Sequence, residues 1–592
     1  MRTLITTAVA LLATTLAIPA SAETRKCSVG KLLELPVTMS YMRPIVPATI
    51  NGHEIKLIAD SGAFYSNISP GSAADLSLKL IPAPMGFQVS GVGGYAAISI
   101  TTVKDFGIGP IVLHNIEFMV GGSETGSTGL LGQNVLGFAD VEYDLADGAI
   151  RLMQSHNCEH ANFAYWAGTK AYSVLDIEPP SQAQPHTIGT VLLNGVKIKA
   201  LFDTGAPTSI LSTKAAGRAG IKPDMPGVES AGETSGIGRH TLPTWIGAFE
   251  SLAIGDEEIR KIHLRFGDVG GENFDMLIGA DFFMSHRVYV SKAQHKMYFT
   301  YNGGPVFDLG RDRAKAIAAA NPKGSAAAGD AGAPSSADEF SRRGNALVQR
   351  LDFVGALADL TRACELAPGN AEFRYQRALI LMRTEQSAAA KADLDRALML
   401  KPTYPEALLF RASLKMKSDD KAGARMDVDS AEHVVGSASD LRLAIGNFYE
   451  EMEDYGASIT QYTRWITAHP DDRRMGNTLN SRCWARTLAG RELDKAIADC
   501  DRALKLQPHT AAYLDSRGLA RLRNGDVDKA QADYNAALEL EPKQAWSLYG
   551  RGLIERRKGM AAQGTADTAA AIALEKSLPD RMQKLGLEGA PK

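Results

Sequence analysis

The sequence predicts a multidomain protein with a bilobal, all-β N-terminal half and an all-α solenoid as its C-terminal half. Two observations predict this class. A strand–turn–strand unit that ends in an aspartate occurs twice between residues 30 and 302, whereas the chain after residue 337 has a helical pattern with a period of about 34 residues. A stretch rich in alanine, glycine, serine and proline separates the two patterns.

The β half contains an internal duplication. Residues 49–63 read TINGHEIKLIADSGA and residues 192–206 read LLNGVKIKALFDTGA, and the two segments align without a gap. The Asn-Gly pair in each segment predicts a two-residue hairpin turn. A short helical stretch follows each aspartate loop, PGSAADLSL in the first unit and STKAAGRAG in the second. Each unit then closes on two apolar residues and a glycine, in TGLLGQN and in DMLIGAD, where a strand passes close to another backbone.

Length and charge limit the classes of function. A chain of 592 residues is too long for one hydrophobic core. Its net charge is −3 and it has no long basic run, which argues against nucleic acid binding and against a polybasic membrane patch. Proteins or peptides are therefore the expected partners.

The first 22 residues predict a secretory signal peptide. They combine a short basic start, an apolar stretch and the small residues Ala20-Ser21-Ala22, which predicts cleavage before Glu23. The style of this signal is bacterial, so the mature chain is expected in the periplasm or outside the cell. The alternative is an uncleaved membrane anchor, because the apolar stretch is just long enough to span a bilayer. No membrane span is expected after cleavage.

Five cysteines allow two disulfides if the chain is exported. Cys27 and Cys158 flank the first aspartate unit, and Cys483 and Cys500 fall on neighbouring helices of one repeat, so these are the candidate pairs. Cys364 is then left over. The alternative for HNCEH, residues 156–160, is a metal site, but no second cluster completes a tetrahedral ligand set. We expect no metal.

The C-terminal half has the spacing of a helical repeat. Residues 303–336 predict a flexible linker, because they lack the large apolar residues of a core. Beyond them, prolines 368 and 402 are separated by one period of the pattern, and prolines 508 and 542 repeat that step. With small residues at matching offsets, this pattern resembles the tetratricopeptide repeat, a helix–turn–helix unit.

The resemblance to tetratricopeptide repeats implies six or seven copies over residues 337–580. Such copies stack into a superhelix whose concave face holds an extended peptide or another protein. The alternative role is a spacer or an oligomerisation scaffold.

Asp60 and Asp203 are the candidate catalytic residues. Two carboxylates brought together in a dry site cannot both ionise cheaply, so one keeps its proton to a higher pH. The ionised member can then take a proton from a water while the protonated member donates to a peptide carbonyl oxygen, without a covalent acyl-enzyme. This chemistry needs no cofactor. The alternative is a pair of loop-capping aspartates in a degenerate, peptide-binding β fold.

The sequences Asp60-Ser61-Gly62-Ala63 and Asp203-Thr204-Gly205-Ala206, each with a later Leu-Leu-Gly or Leu-Ile-Gly, resemble the catalytic loops of retropepsin-like aspartic proteases. The resemblance covers residues 30–155 as lobe 1 and 170–302 as lobe 2, with both halves of the site in one chain, as in pepsin-like enzymes. It implies that the Ser61 and Thr204 hydroxyls bond across the pseudo-twofold axis. It also implies that Gly62 and Gly205 let the backbone turn with N–H groups facing the carboxylates.

A glycine-rich segment follows in each half, SGVGGYAAI at 90–98 and SGIGRHTL at 235–242. Both resemble the flap that closes over substrate and expels water from the dyad. The resemblance makes Gly93, Gly94, Tyr95 and Gly238 candidate flap residues. A nucleotide-binding loop is the alternative for GVGG, but neither a helix nor a lysine follows it to hold phosphate.

Together these patterns predict an exported aspartic endopeptidase whose helical array binds protein or peptide. The first alternative is a non-catalytic scaffold that binds peptide or protein on a degenerate protease fold. In a second alternative, the repeat array is the functional part and the β half tethers it.

Overall fold

A computed structural model describes residues 27–84, 89–91, 94–96, 98–121, 129–181, 184–234, 236, 241–269, 274–307, 334–470 and 472–587. Strands occupy the N-terminal half and paired helices the C-terminal half, which confirms the predicted fold class. The predicted signal peptide and most of the predicted linker lie outside the described residues. Among the described helices, none is both long enough and apolar enough to cross a bilayer.

Lobe 1 and the strands beside it contain thirteen strands and two short helices within the described residues. The strands are β1 Ser28–Pro36, β2 Thr38–Ser40, β3 Arg43–Ile50, β4 His53–Ala59, β5 Asn67–Ile68, β6 Ile81–Pro82, β7 Val89–Gly91, β8 Gly94–Ala96, β9 Ile98–Ile108, β10 Ile111–Gly121, β11 Gly129–Leu131, β12 Asp140–Asp144 and β13 Ala149–His156. The helices are α1 Pro70–Asp75 and α2 Gln133–Leu136.

Lobe 2 repeats this plan. Its strands are β14 Ser173–Asp176, β15 Ile188–Leu193, β16 Val196–Phe202, β17 Ile210–Ser212, β18 Glu229–Thr234, β19 Leu242–Ile254, β20 Glu257–Gly267, β21 Met276–Ile278, β22 His286–Ser291 and β23 Lys296–Tyr301. Its helices are α3 Thr213–Arg218 and α4 Ala280–Phe283. A 3₁₀ turn, Tyr165–Ala167, lies between the two lobes in the sequence.

Each lobe is a sheet that folds back on itself. In lobe 1 the order is β2-β3-β4-β11-β5-β10-β9-β6, and β3 also pairs with β9. In lobe 2 the order is β15-β16-β21-β17-β20-β19-β18, and β15 also pairs with β19. The matching orders follow from the duplicated sequence, since equivalent apolar patterns bury equivalent faces.

The Asn-Gly pairs form the predicted turns. Asn51 and Gly52 have φ of 51° and 84°, and Asn194 and Gly195 have φ of 47° and 78°. Positive φ at both central residues suits a two-residue hairpin turn, which asparagine and glycine tolerate. These turns fix the register of β3 on β4 and of β15 on β16, and so the position of each following aspartate.

A third sheet joins the lobes. Its order is β1-β13-β12-β22-β23-β14, and β12 of the first half pairs antiparallel with β22 of the second. Since strands from both halves share this sheet, the lobes have a common apolar core, which contains Tyr143, Leu145, Phe282 and Phe299.

The C-terminal half consists of seven helix pairs and a last helix within the described residues. They are α5 Ala337–Gln349, α6 Phe353–Leu366, α7 Ala371–Arg383, α8 Ser387–Leu400, α9 Pro405–Lys417, α10 Lys421–Val434, α11 Leu441–Glu451, α12 Tyr455–Ala468, α13 Met475–Ala489, α14 Leu493–Leu506, α15 Ala511–Asn524, α16 Val527–Leu540, α17 Ala545–Arg557, α18 Ala561–Leu574 and α19 Leu578–Lys584.

Small residues let the paired helices approach each other. A Cβ at Gly344 would lie 3.0 Å from Leu360, and one at Gly518 would lie 2.8 Å from the Tyr534 ring. Partly buried arginine–aspartate bridges recur between the helices of a pair at nearly the same spacing along the chain: Arg343–Asp359, Arg377–Asp393, Arg411–Asp427, Arg482–Asp499 and Arg517–Asp533. These bridges fix the mutual rotation of the helices, because both hydrogen bonds of the guanidinium must be made at once.

The repeat array packs on lobe 1. The Met42 N–H donates to Gln349 Oε1 at 3.0 Å, and the Ala438 N–H donates to Asp75 Oδ1 at 3.3 Å. Ala346 of α5 is fully buried in the same apolar core as the lobes. The two halves of the chain therefore form one packed unit, with contacts to lobe 1 from the first helix and from the loop before α11.

Candidate active site

Two equivalent strands deliver the aspartates to one place. Asp60 directly follows β4, and its N–H donates to the Leu131 carbonyl oxygen at 2.9 Å. Asp203 directly follows β16, and its N–H donates to the Ile278 carbonyl oxygen at 2.8 Å. Each of these strands runs parallel to the Leu-Leu-Gly or Leu-Ile-Gly strand of its own lobe. The duplicated closing motifs thus hold the ends of the strands from which the carboxylates emerge.

Ser61 and Thr204 lock the two loops together. The Ser61 N–H donates to Thr204 Oγ1 at 3.0 Å, and the Thr204 N–H donates to Ser61 Oγ at 2.9 Å. Each hydroxyl in turn donates to a carbonyl oxygen of the opposite lobe, Ser61 Oγ to Phe202 at 2.9 Å and Thr204 Oγ1 to Ala59 at 2.7 Å. All four bonds are buried, so water does not compete for them. The hydroxyls therefore bond across the pseudo-twofold axis.

The glycines place each carboxylate against the opposite loop. The Gly62 N–H donates to Asp60 Oδ1 at 2.9 Å, and the Gly205 N–H donates to Asp203 Oδ1 at 2.8 Å. A Cβ at Gly62 would collide with the Asp203 carboxylate, and a Cβ at Gly205 would collide with the Asp60 carboxylate. Only glycine leaves room for two carboxylates this close together.

The proximity of the carboxylates changes the titration of Asp60. Burial raises the pKa of Asp60 well above its ordinary value. The Asp203 charge and a hydrogen bond between the two carboxyl groups raise the Asp60 pKa further, against the opposing effect of the Gly62 and Ala63 N–H groups. The pair therefore retains one proton at a pH at which an exposed aspartate has lost it.

A serine behind each loop supports the closing strand. In lobe 1, the Ser66 N–H and hydroxyl both donate to Asn134 Oδ1, at 2.7 and 2.8 Å, and Ser66 Oγ accepts the Gly132 N–H at 3.0 Å. This network ties the aspartate loop to the Leu-Leu-Gly strand.

Lobe 2 has the same network with an acid in place of the amide. The Ser209 N–H and hydroxyl donate to the two Asp281 carboxylate oxygens at 2.9 and 2.7 Å, and Ser209 Oγ accepts the Gly279 N–H at 2.9 Å. Burial raises the pKa of Asp281 to about 6, against the opposing hydrogen bonds from Ser209 and Phe282. The two lobes therefore share a geometry but differ in a titratable group.

Several residues at the site were not predicted from the sequence. Gln133 Nε2 donates to the Ser61 carbonyl oxygen at 2.8 Å, and the buried Tyr143 hydroxyl hydrogen-bonds to Ser61. Burial raises the pKa of Tyr143, so this phenol stays neutral. Neither residue carried a signal in the sequence, because each reaches the loop through tertiary contact. Asn134 and Asp281 did carry one, since both follow the closing glycine by two residues.

The predicted flap segments are described only in part. In lobe 1, β7 and β8 form a two-stranded hairpin in which Ser90 pairs with Tyr95 and Gly91 with Gly94, whose φ is 98°. Gly93 and Gly238 lie outside the described residues. The flap role of these residues remains a prediction.

The structure brings the predicted cysteine pairs together. Cys27 and Cys158 are joined with Cα atoms 4.6 Å apart, and Cys483 and Cys500 with Cα atoms 5.7 Å apart. Both separations suit a disulfide. Cys364 is a buried free thiol.

Parts of both halves of the chain match known protein families. Residues 46–135 and 189–282 both match the family described as aspartyl protease, and each match contains one of the two aspartate loops. Residues 371–404 and 511–544 match the family described as tetratricopeptide repeat. No curated protein matches the chain at a significant level.

Solved structures similar to this chain include repeat proteins. One is a tetratricopeptide repeat protein from Parabacteroides merdae, at 16% identity and a TM-score of 0.33, with 42% of this chain and 98% of that chain covered. Another is PilW, a type IV pilus biogenesis factor, at 18% identity and a TM-score of 0.30, with 36% of this chain and 97% of that chain covered. Each of the two lobes therefore matches the aspartyl protease family, and two segments of the helical array that follows them match the tetratricopeptide repeat family.

Proposed function

We propose that this chain is an exported aspartic endopeptidase that hydrolyses peptide bonds between Asp60 and Asp203. One observation carries the proposal: the carboxyl groups of Asp60 and Asp203 lie together, each against the glycine of the opposite loop, and the Asp203 charge helps to raise the pKa of Asp60. Aspartates that only cap loops would not need to lie side by side. Burying two carboxyl groups together destabilises the folded state, because both lose water and their charges repel.

The shared proton supplies both an acid and a base. With one proton on the pair, the ionised carboxylate takes a proton from an attacking water, and the protonated carboxyl donates to the carbonyl oxygen of the scissile bond. The raised pKa of Asp60 keeps that proton on the pair. The Ser61 and Thr204 bonds hold both loops in place, so the carboxylates need not reorganise during the reaction.

The repeat array is proposed to bind the protein substrate or a protein partner. Tetratricopeptide repeats suggest protein–protein interaction, and this array packs directly on lobe 1. A protein held on the array would thus lie near the lobes, which raises its effective concentration at the Asp60–Asp203 pair.

Export to the periplasm or the cell exterior is part of the proposal. It rests on the N-terminal signal sequence and on the two cysteine pairs, because disulfides persist in oxidising compartments. Appearance of the mature chain, starting at Glu23, in the periplasmic or secreted fraction would test this part.

Cleavage of a peptide library by the wild type, Asp60→Asn and Asp203→Asn proteins, across a range of pH, tests the catalytic proposal. Asparagine keeps the size of the side chain but cannot share the proton, so both variants are expected to lose hydrolysis and to remain folded. If both variants cleave as fast as the wild type, the protease proposal is wrong. If no protein cleaves but all bind a peptide, the non-catalytic scaffold takes its place.

A further inference from the structure

His186 occupies in lobe 2 the position that Arg43 occupies in lobe 1. The offset in sequence from Arg43 to His186 equals the offset from Asp60 to Asp203, which is the offset of the gapless duplication. Both basic residues come just before or at the start of the strand that pairs with the aspartate strand. The duplication therefore puts a basic residue at an equivalent place in each lobe.

The strand register places His186 opposite Asp203. Ile188 pairs with Leu201, and the Phe202 N–H donates to the Thr187 carbonyl oxygen at 3.0 Å, so the pairing continues towards the aspartate. The next step of an antiparallel ladder sets residue 186 across from residue 203. Ile45 pairs with Ile58 in lobe 1, and two steps along that ladder residue 43 lies across from residue 60.

The His186 ring touches the opposite loop. Its centroid lies 6.0 Å from that of Phe64, in an edge-to-face arrangement, and the backbone of Gly62 is near enough to raise the pKa of the imidazole. Other ionisable groups face the ring from neighbouring elements: Asp203 from the lobe 2 loop, Tyr143 from β12 and Lys292 from the turn after β22, the last two across a cavity of about 10 Å³.

We propose that His186 is a positioning residue of the dyad that holds the Asp60–Gly62 loop against lobe 2 and, when protonated, places a cation opposite Asp203. The proposal rests on the proposed peptidase function. The two lobes then differ in how the charge of the basic residue depends on pH. The guanidinium of Arg43 keeps its charge at all working pH values, whereas the imidazole of His186 does not.

The charge on His186 has a predictable effect on catalysis. Burial lowers the pKa of His186, with the Asp203 charge in opposition, so the ring is neutral near pH 7 and cationic only in acid. A cation beside a carboxylate favours its ionised form. In the wild type, the His186 cation therefore favours the ionised form of Asp203 on the acidic limb of the pH–rate profile. On the alkaline limb the ring is neutral and has no such effect.

Two variants separate these limbs in measurements of kcat/KM against pH. His186→Gln has no cation at any pH, so its acidic limb moves to higher pH by about one unit while its alkaline limb stays in place. His186→Arg has the cation at every pH, so its alkaline limb moves to lower pH by about one unit while its acidic limb stays in place. Uniform loss of activity without a shift of either limb would reduce His186 to a packing residue and overturn the proposal.

A measurement that needs no activity keeps this test separate from the proposed function. In full-length protein labelled at histidine carbons, the NMR signal of His186 is identified by its disappearance in His186→Gln. In Asp203→Asn protein, the His186 pKa is expected to fall, because the neighbouring negative charge is gone, and the other histidines serve as internal controls. An unchanged His186 pKa overturns the proposal, whereas failure of the wild type to cleave any peptide overturns only the proposed function.

Discussion

Asp281 accepts from Ser209 in lobe 2 the two hydrogen bonds that Asn134 accepts from Ser66 in lobe 1. In lobe 1 the single amide oxygen of Asn134 accepts both bonds. The same two bonds in lobe 2 therefore do not require the second carboxylate oxygen of Asp281. Lobe 2 instead buries an acid, and its stability should depend on pH in a way that lobe 1 does not share.

We expect Asp281→Asn to stabilise the protein above pH 6. The unfolded chain ionises this acid near pH 4, but the folded chain keeps it protonated up to about pH 6. As the pH rises through that interval, ionisation of residue 281 in the unfolded chain lowers the free energy of unfolding, by about 1–3 kcal/mol in total. Denaturant unfolding at pH 8 and at pH 4 should show a gain for the variant at pH 8 and little gain at pH 4.

The matched control is Asn134→Asp, which puts the same acid into lobe 1. It should lose stability at pH 8 and recover it in acid. An Asp281→Asn protein that is less stable than the wild type at pH 8 would contradict the argument.

Gly205→Ala is expected to reduce kcat by about 100-fold or more, because its Cβ would push the Asp60 carboxylate out of its position. Gly62→Ala should act in the same way on Asp203. The control is Gly217→Ala in α3, where a Cβ meets nothing within 4 Å, and where alanine should stabilise the helix by up to about 1 kcal/mol. Peptide hydrolysis rates and melting temperatures of the three variants check the prediction, and normal activity in Gly205→Ala would refute it.

Activity should be independent of protein concentration. Both aspartates belong to one chain, and β12 and β22 join the two lobes in one sheet, so no second chain is needed to complete the site. If the proposed activity is present, we expect the specific activity to stay constant when the protein is diluted from micromolar to nanomolar concentrations. A decline on dilution, matched by the appearance of an inactive monomer in sedimentation, would show that the site forms between chains.

Thiol labelling of denatured, unreduced protein should modify one cysteine per chain, Cys364. Reduction should then destabilise the repeat array, since the link between Cys483 and Cys500 closes a loop of 17 residues, a size at which a disulfide contributes about 3 kcal/mol. Mass mapping identifies the pairs, and chemical unfolding with and without reductant measures the loss. Cys364→Ser is the control, which should leave no reactive thiol and little change in the effect of reductant. Three or more labelled thiols in exported protein would contradict the pairing.

The local features of this protein follow directly from its sequence. The gapless duplication predicted two equivalent lobes, the Asn-Gly pairs predicted the hairpin turns, and the regular spacing of prolines and small residues predicted the helix pairs. These features can be predicted from the sequence because they depend on residues that are close together in the chain. A turn needs two residues with positive φ, and a helix face needs a fixed spacing of small and apolar side chains.

Tertiary structure alone decided which distant residues meet. Tyr143 and Gln133 reach the Ser61 loop from separate elements, His186 faces Asp203 across a ladder, and the repeat array packs on Asp75 of lobe 1. Each contact depends on how elements distant in the chain pack together, so neither partner is marked by its neighbours in the sequence. The aspartate loops were the exception, because the duplication makes both partners of this one long-range contact visible in the sequence.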